Sequence, residues 1–196
     1  MKTIGLLILV LSSFSSYSQI ILNPSFEGPT GSNKTPSLWQ KCGQESTPDT
    51  QPGHWGETKS ASDQATYLQL VVRRDGTNEK VSQILAGKME KDSSYYLFLD
   101  LAKATLEDPC KLRIWAGSGF CGTSQLLWES PVIEHNSWKT YLACFSADAD
   151  YRSIMLESVH ANGDLEMGKV SIDNMKGIFK GAKPPVITSL DTTLCE

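Results

Sequence analysis

Short segments in which apolar and polar residues alternate with a period of two recur along the chain, and no feature restricts its folding more. In Thr66-Tyr67-Leu68-Gln69-Leu70-Val71-Val72-Arg73-Arg74, one face carries Leu68, Leu70 and Val72 and the other Tyr67, Gln69 and Arg73. Cys110 to Ala116 repeats the pattern, with Leu112 and Ile114 inward against Lys111, Arg113 and Trp115. That period belongs to a half-buried β-strand. Tyr95 to Ala102 is nearly all apolar, as in a central strand covered on both faces. Ile20-Ile21-Leu22, Val81–Leu85, Gln125–Glu129, Trp138–Ser146, Ser153–His160 and Lys169–Ile178 complete the set, separated by Gly, Pro, Asn and Asp turns such as Asp75-Gly76. No convincing amphipathic helix interrupts them. About ten short strands with turn chemistry predict an all-β sandwich of two antiparallel sheets. Residues 29–63 read as one long connection, rich in Pro, Gly, Ser and Thr and holding Trp39, Cys42, His54 and Trp55. A connection of that length inside a compact domain is usually functional.

The ends differ from this pattern. Residues 1–18 combine Lys2, the apolar run Ile4 to Leu11 and small residues Ser16 and Ser18 before Gln19, the layout of a removable signal peptide. The run is too short to cross a hydrocarbon layer of ~30 Å. Residues 19–180 form the expected domain. Residues 181–196 open on Gly181-Ala182-Lys183-Pro184-Pro185, a linker composition, and continue as what reads as the first strand of a following module. The net charge is −4 and Arg73-Arg74 is the longest basic run, so nucleic acid and anionic membranes are poor partners. Export makes disulfides the expected state of the five cysteines, none of which has zinc-site spacing. Four can pair in three ways. The pairing expected is Cys42 with Cys121, both in long loops, and Cys110 with Cys144, leaving Cys195 unpaired within the chain.

Catalytic constellations are absent from the sequence. There is no GxSxG elbow and no HExxH, and His54, His135 and His160 stand singly. Glu166 lacks an acidic partner two residues on, and Asp148-Ala149-Asp150 reads as a turn, so the facing carboxylates of a glycosidase are not evident.

Asn23-Pro24-Ser25-Phe26-Glu27-Gly28 followed by Pro36 and Trp39, then Tyr95-x-Leu97-x-Leu99-Asp100-Leu101, Leu112-x-Ile114-Trp115, Trp138-x-x-Tyr141-x-x-x-Phe145 and Val170-x-Ile172-Asp173-Asn174-Met175, resemble galactose-binding-like jelly rolls, which include many carbohydrate-binding modules. More narrowly, the ensemble resembles N-terminal domains of surface proteins of gliding Bacteroidota, in which such domains precede immunoglobulin-like or PKD-like repeats. The resemblance implies a jelly roll and a structural calcium ion shared by Glu27 and Asp173. Without an ion, Glu27 and Asp173 would simply cap turns at the sheet edge.

Two functions compete: a secreted, non-catalytic glycan- or polymer-binding module, and an adhesive spacer without a small ligand. A glycoside hydrolase comes third. In a jelly roll the outward residues Tyr67, Gln69, Arg73, Asp100, Arg113 and Trp115 are expected to converge on one sheet, with Trp39 and Trp55 walling one end. Sugars stack apolar ring faces on aromatics while their hydroxyls need polar partners, and this set offers both. Exposure of the aromatics would favour binding, and burial under the long loop would favour the spacer.

Overall fold

A computed structural model describes residues 20–163 and 165–181. Residues 1–18, expected as a leader, Cys195 and all of the tail beyond Gly181 lie outside the described residues. Ten strands run β1 (Gln40–Lys41), β2 (Asp49–Gln51), β3 (Tyr67–Val72), β4 (Lys80–Met89), β5 (Ser94–Lys103), β6 (Cys110–Gly117), β7 (Gln125–Glu129), β8 (Lys139–Ser146), β9 (Tyr151–His160) and β10 (Gly168–Lys180). They form two five-stranded antiparallel sheets, ordered β2-β3-β10-β5-β8 and β1-β4-β9-β6-β7. The first is called sheet A below and the second sheet B. Among the described residues there is no α-helix.

Alternation decides what lies between the sheets. Sheet A contributes Leu68, Leu70, Leu97, Leu99, Leu101, Val170 and Ile172, and sheet B contributes Val81, Leu112, Ile114, Ile154 and Leu156, all fully buried. Each such side chain favours folding by about 1.5–3 kcal/mol relative to exposure. β5 lies between β10 and β8, and its outward Asp100 and Ala102 are buried too, which explains its nearly continuous apolar composition.

Three expectations need correction. Ile20-Ile21-Leu22 is not a strand, although Ile20 and Ile21 are core residues. The Gln83 side-chain amide takes the place of a strand partner there, accepting from Leu22 N–H at 2.7 Å and donating to Leu22 C=O at 2.7 Å. The long connection is also not structureless: β1 pairs with β4 at the edge of sheet B, and β2 pairs with β3 at the edge of sheet A. Strands of two and three residues are too short to show a period.

The third correction concerns cysteine. Cys42 and Cys121 are joined as expected, but Cys110 is a buried free thiol, so no Cys110–Cys144 bridge forms. Cys110 points into the core from β6, whereas Cys144 lies on β8 of the other sheet with its core-facing neighbours Ala143 and Phe145 on either side. The two cysteines therefore face different layers. Burial pushes the Cys110 thiol up to about 12. The Cys42–Cys121 bridge ties the β6–β7 connection back across the outer face of sheet B. There Cys121 N–H donates to Ser82 Oγ at 3.1 Å and Ser153 Oγ donates to Gly119 C=O at 2.6 Å. Gly117 makes the fold-back possible, because a Cβ at that position would stand 2.6 Å from the Gly122 backbone.

Candidate functional site

The predicted outward residues do point outward, but from two different sheets. Tyr67 and Gln69 on β3 and Asp100 on β5 share the outer face of sheet A, while Arg113 and Trp115 on β6 face the opposite side of the sandwich. Alternation distinguishes inward from outward and carries no information on which sheet a strand joins, so the expected single platform is not formed. On sheet B, Arg113 Nε donates to Glu129 at 2.6 Å beside Lys111, which pairs with the same carboxylate at 3.0 Å. Trp115 Nε1 donates to Glu157 at 2.7 Å. Trp39, expected as a wall, is a core residue 3% exposed and packed on Phe26 with ring centroids 5.0 Å apart.

Residues 53–63 form a strap over part of the outer face of sheet A. Ser62 and Asp63 N–H donate to Asp173 Oδ2 at 2.7 and 2.8 Å, and Ser62 Oγ bonds Asp100. Thr140 and Asn174 complete the partners of Asp100 at 2.6 and 2.9 Å. Trp138 Nε1 donates to Ser60 C=O at 2.8 Å, and Trp138 meets Tyr67 edge-on at 5.2 Å. Tyr67 is 0% exposed and Asp100 4%, so both are removed from any open platform. Burial raises the Asp173 carboxyl to about 7, against the opposing pull of its N–H donors and with a further push from Asp63.

At the start of the strap the face is open. Trp55 is 67% exposed, with its Nε1 donating to Ser32 Oγ at 3.3 Å. Its backbone sits in the left-handed region at φ 57°. The turn is held by Gln51, whose amide bonds the His54 backbone N–H at 3.0 Å and C=O at 3.2 Å. Trp55 borders a cleft of about 180 Å³ lined also by Ser32, Asp49, Val71, Arg73, Glu79 and Lys169. Trp55 and Lys169 also line an adjoining recess with Glu57, Gln69, Thr105 and Glu107. Within the cleft Arg73 pairs with Glu79, and Lys169 Nζ lies 3.0 Å from Glu107. Burial raises the carboxyls of Asp49 and Glu79, the latter despite Thr47, Arg73 and the Val71 N–H. A second cleft of about 170 Å³ lies elsewhere, lined by Asp108, Glu134, His160 and Glu166 among others, with no Trp, Tyr or Phe in its wall.

No protein-family model and no curated protein matches the sequence. Solved structures do match in three dimensions. An arabinose-bound α-L-arabinofuranosidase superposes with a TM-score of 0.62 at 10% identity, over 85% of this chain and 27% of its own. The chain thus spans about a quarter of that enzyme. The K3 cleaved adhesin domain of Lys-gingipain from Porphyromonas gingivalis gives 0.53 at 13% identity, over 84% of this chain and 99% of the domain. The CBM22-1 xylan-binding domain of Xyn10C from Paenibacillus barcinonensis gives 0.51 at 14% identity, over 85% and 97%. The fold is the two-sheet jelly-roll sandwich that these structures share. At these identities the likeness is one of fold.

Of the site residues expected from sequence, the jelly roll places Trp55 and Arg73 at one cleft and Gln69 in the recess that adjoins it, and leaves Trp39, Tyr67, Asp100, Arg113 and Trp115 outside both. Sequence reasoning missed Asp49, Glu79 and Lys169. Lys169 was legible, because the alternation of Lys169-Val170-Ser171-Ile172-Asp173 places it outward beside Ser171. Asp49 was hidden in a strand too short to read, and Glu79 precedes β4 by one residue.

Glu27 and Asp173 meet on one turn. Glu27 Oε1 accepts the N–H groups of Ala65 and Thr66 at 3.1 and 2.9 Å, just after the pair held by Asp173. Among the described residues, no group of three or more His, Cys, Asp and Glu side chains is arranged to hold a metal ion. N–H groups aimed at a carboxylate oxygen cap it as a cation would. The capping geometry predicts coincident melting curves for metal-free protein with added calcium and with chelator. A calcium-dependent rise in Tm that Asp173→Asn abolishes would instead place an ion on these carboxylates.

Proposed function

We propose that the chain is an extracellular, non-catalytic carbohydrate-binding module whose ligand lies against Trp55 on the outer face of sheet A. The exposure of Trp55 carries this reading. A large aromatic held 67% exposed above a cleft of buried polar side chains is the arrangement a sugar ring uses, apolar face on the indole and hydroxyls on the polar floor. The leader-like N-terminus and the Cys42–Cys121 bridge support an oxidising, extracellular location. The xylan-binding name of one structural neighbour agrees with the ligand class. On this reading the carboxylates of the face are structural, since Asp49, Glu57, Glu79, Asp100 and Asp173 each accept hydrogen bonds from the chain itself. The adhesive-spacer reading is favoured by the strap that buries Tyr67 and Asp100 and by the adhesin domain among the neighbours.

A panel of polysaccharides separates the two. Trp55→Ala is expected to weaken binding on the order of 30-fold, the usual cost of truncating an aromatic anchor. Trp115→Ala, on the far sheet, is expected to bind as the parent does. Binding that survives Trp55→Ala, or a parent that binds nothing on the panel, would favour the spacer.

A further inference from the structure

We propose that the Trp55 cleft selects neutral polysaccharides and rejects acidic ones, an inference that rests on the reading of this cleft as a glycan site. Four carboxylates, those of Asp49, Glu57, Glu79 and Glu107, line the cleft and its recess against two cations, Arg73 and Lys169. Both cations are already engaged. Arg73 Nη2 bonds Glu79 and donates to Thr47 Oγ1 at 2.8 Å, while Lys169, 8% exposed, pairs with Glu107 at 3.0 Å. Asp49 Oδ1 accepts the Asn33 N–H at 2.9 Å, and Glu57 accepts the Thr105 N–H at 3.2 Å with Lys59 Nζ 3.9 Å away, a cation itself engaged by the Lys103 C=O at 2.8 Å.

A uronate or sulfate entering this cleft meets more carboxyl groups than cations along its lining, and these groups are held out of water, where salt screens little, since Glu79 is 1% exposed and Asp49 and Glu57 are 4%. To gain a cation, the anion must pull Arg73 from Glu79 or Lys169 from Glu107, which strands a carboxylate at the cleft wall. The indole face adds to the bias, because the negative face of its π-system attracts C–H and repels anionic groups. A neutral sugar meets no such penalty. The exposed hydroxyls of Ser32 and Thr105, which line the cleft and its recess, can exchange hydrogen bonds with its hydroxyls without disturbing either ion pair. Selection here comes from cations that are occupied in advance, so exclusion of the wrong ligand does as much as attraction of the right one.

The test offers galactan, β-glucan and mannan to the full chain, each also after oxidation of C6 to a uronate, so that only the charge of the polymer changes. The neutral polymer that binds through Trp55 is expected to lose at least about tenfold in affinity on oxidation, the scale of a like-charge clash in a binding site. Glu107→Gln, at a position 25% exposed, releases Lys169 and is expected to narrow that gap several-fold, with its melting curve showing that the variant remains folded at the assay temperature. Oxidised polymers bound as tightly as their neutral parents, with Trp55→Ala abolishing both, would overturn the selectivity and leave the glycan site standing. A gap that Glu107→Gln leaves unchanged would overturn its origin in occupied cations. If neither form of any polymer is bound, the glycan reading fails and this inference fails with it.

Discussion

Replacing Cys42 and Cys121 together by serine is expected to lower the melting temperature by roughly 8–16 °C, following a loss of about 4 kcal/mol in a domain of this size. The bridge spans 79 residues of sequence, so its removal releases a large closed loop in the unfolded chain. In the folded state it also holds the β6–β7 connection over the outer face of sheet B, where Ser82, Ser153 and Met155 are at most 2% exposed. The double substitution avoids leaving one thiol free to pair with another cysteine. Scanning calorimetry reads the effect directly, and a shift of a degree or two would show that hydrogen bonds such as Cys121 N–H to Ser82 hold the connection without the bridge.

The second large effect concerns Asp173, which anchors the strap. Asp173→Ala removes the acceptor of three backbone N–H groups, those of Ser62, Asp63 and Asn174, at a residue 0% exposed. Leaving such donors unsatisfied is expected to destabilise the protein on the order of 3 kcal/mol. The parent should also respond to pH with a definite sign. Burial raises this carboxyl from 3.8 to about 7 in the folded chain, so between those values the folded state binds the extra proton. The stability linked to that proton is full below the ordinary carboxylate range and is lost as pH rises through about 7. Asp49 and Glu79, also raised by burial, act in the same direction. The protein should therefore melt higher at pH 5 than at pH 8, and Asp173→Asn, which does not titrate, should reduce the difference. An equal or larger difference in Asp173→Asn would assign the pH response to other groups.

Both predictions depend on features that the sequence shows unevenly. Side-chain period identified the core-facing residues of β3 and β6, but not that the outward face of β3 is buried as well. It could not assign β6 to sheet B, since strand pairing is settled by contacts far apart in sequence, such as Arg113 opposite Glu157 and Glu129. That gap alone split the expected ligand face. Trp55 and Trp39 looked alike in the long connection, both aromatics among turn residues. Trp39 is drawn into the core against Phe26, while Gln51 and the Glu57–Gly53 backbone bond shape the turn that holds Trp55 outward. Such partners leave no periodic trace. Cys42–Cys121 was legible because both residues lie in connections, but the core side of β6 claimed Cys110 for packing instead of pairing.

The most direct test of the glycan site at Trp55 follows the indole N–H signals of the five tryptophans, Trp39, Trp55, Trp115, Trp128 and Trp138, by NMR during titration with soluble oligosaccharides from the neutral polymer panel. The account predicts that the Trp55 signal, assigned through Trp55→Phe, moves first and furthest while that of Trp115 stays in place. A ligand that shifts Trp115 and leaves Trp55 unmoved would put the binding face on sheet B and contradict it.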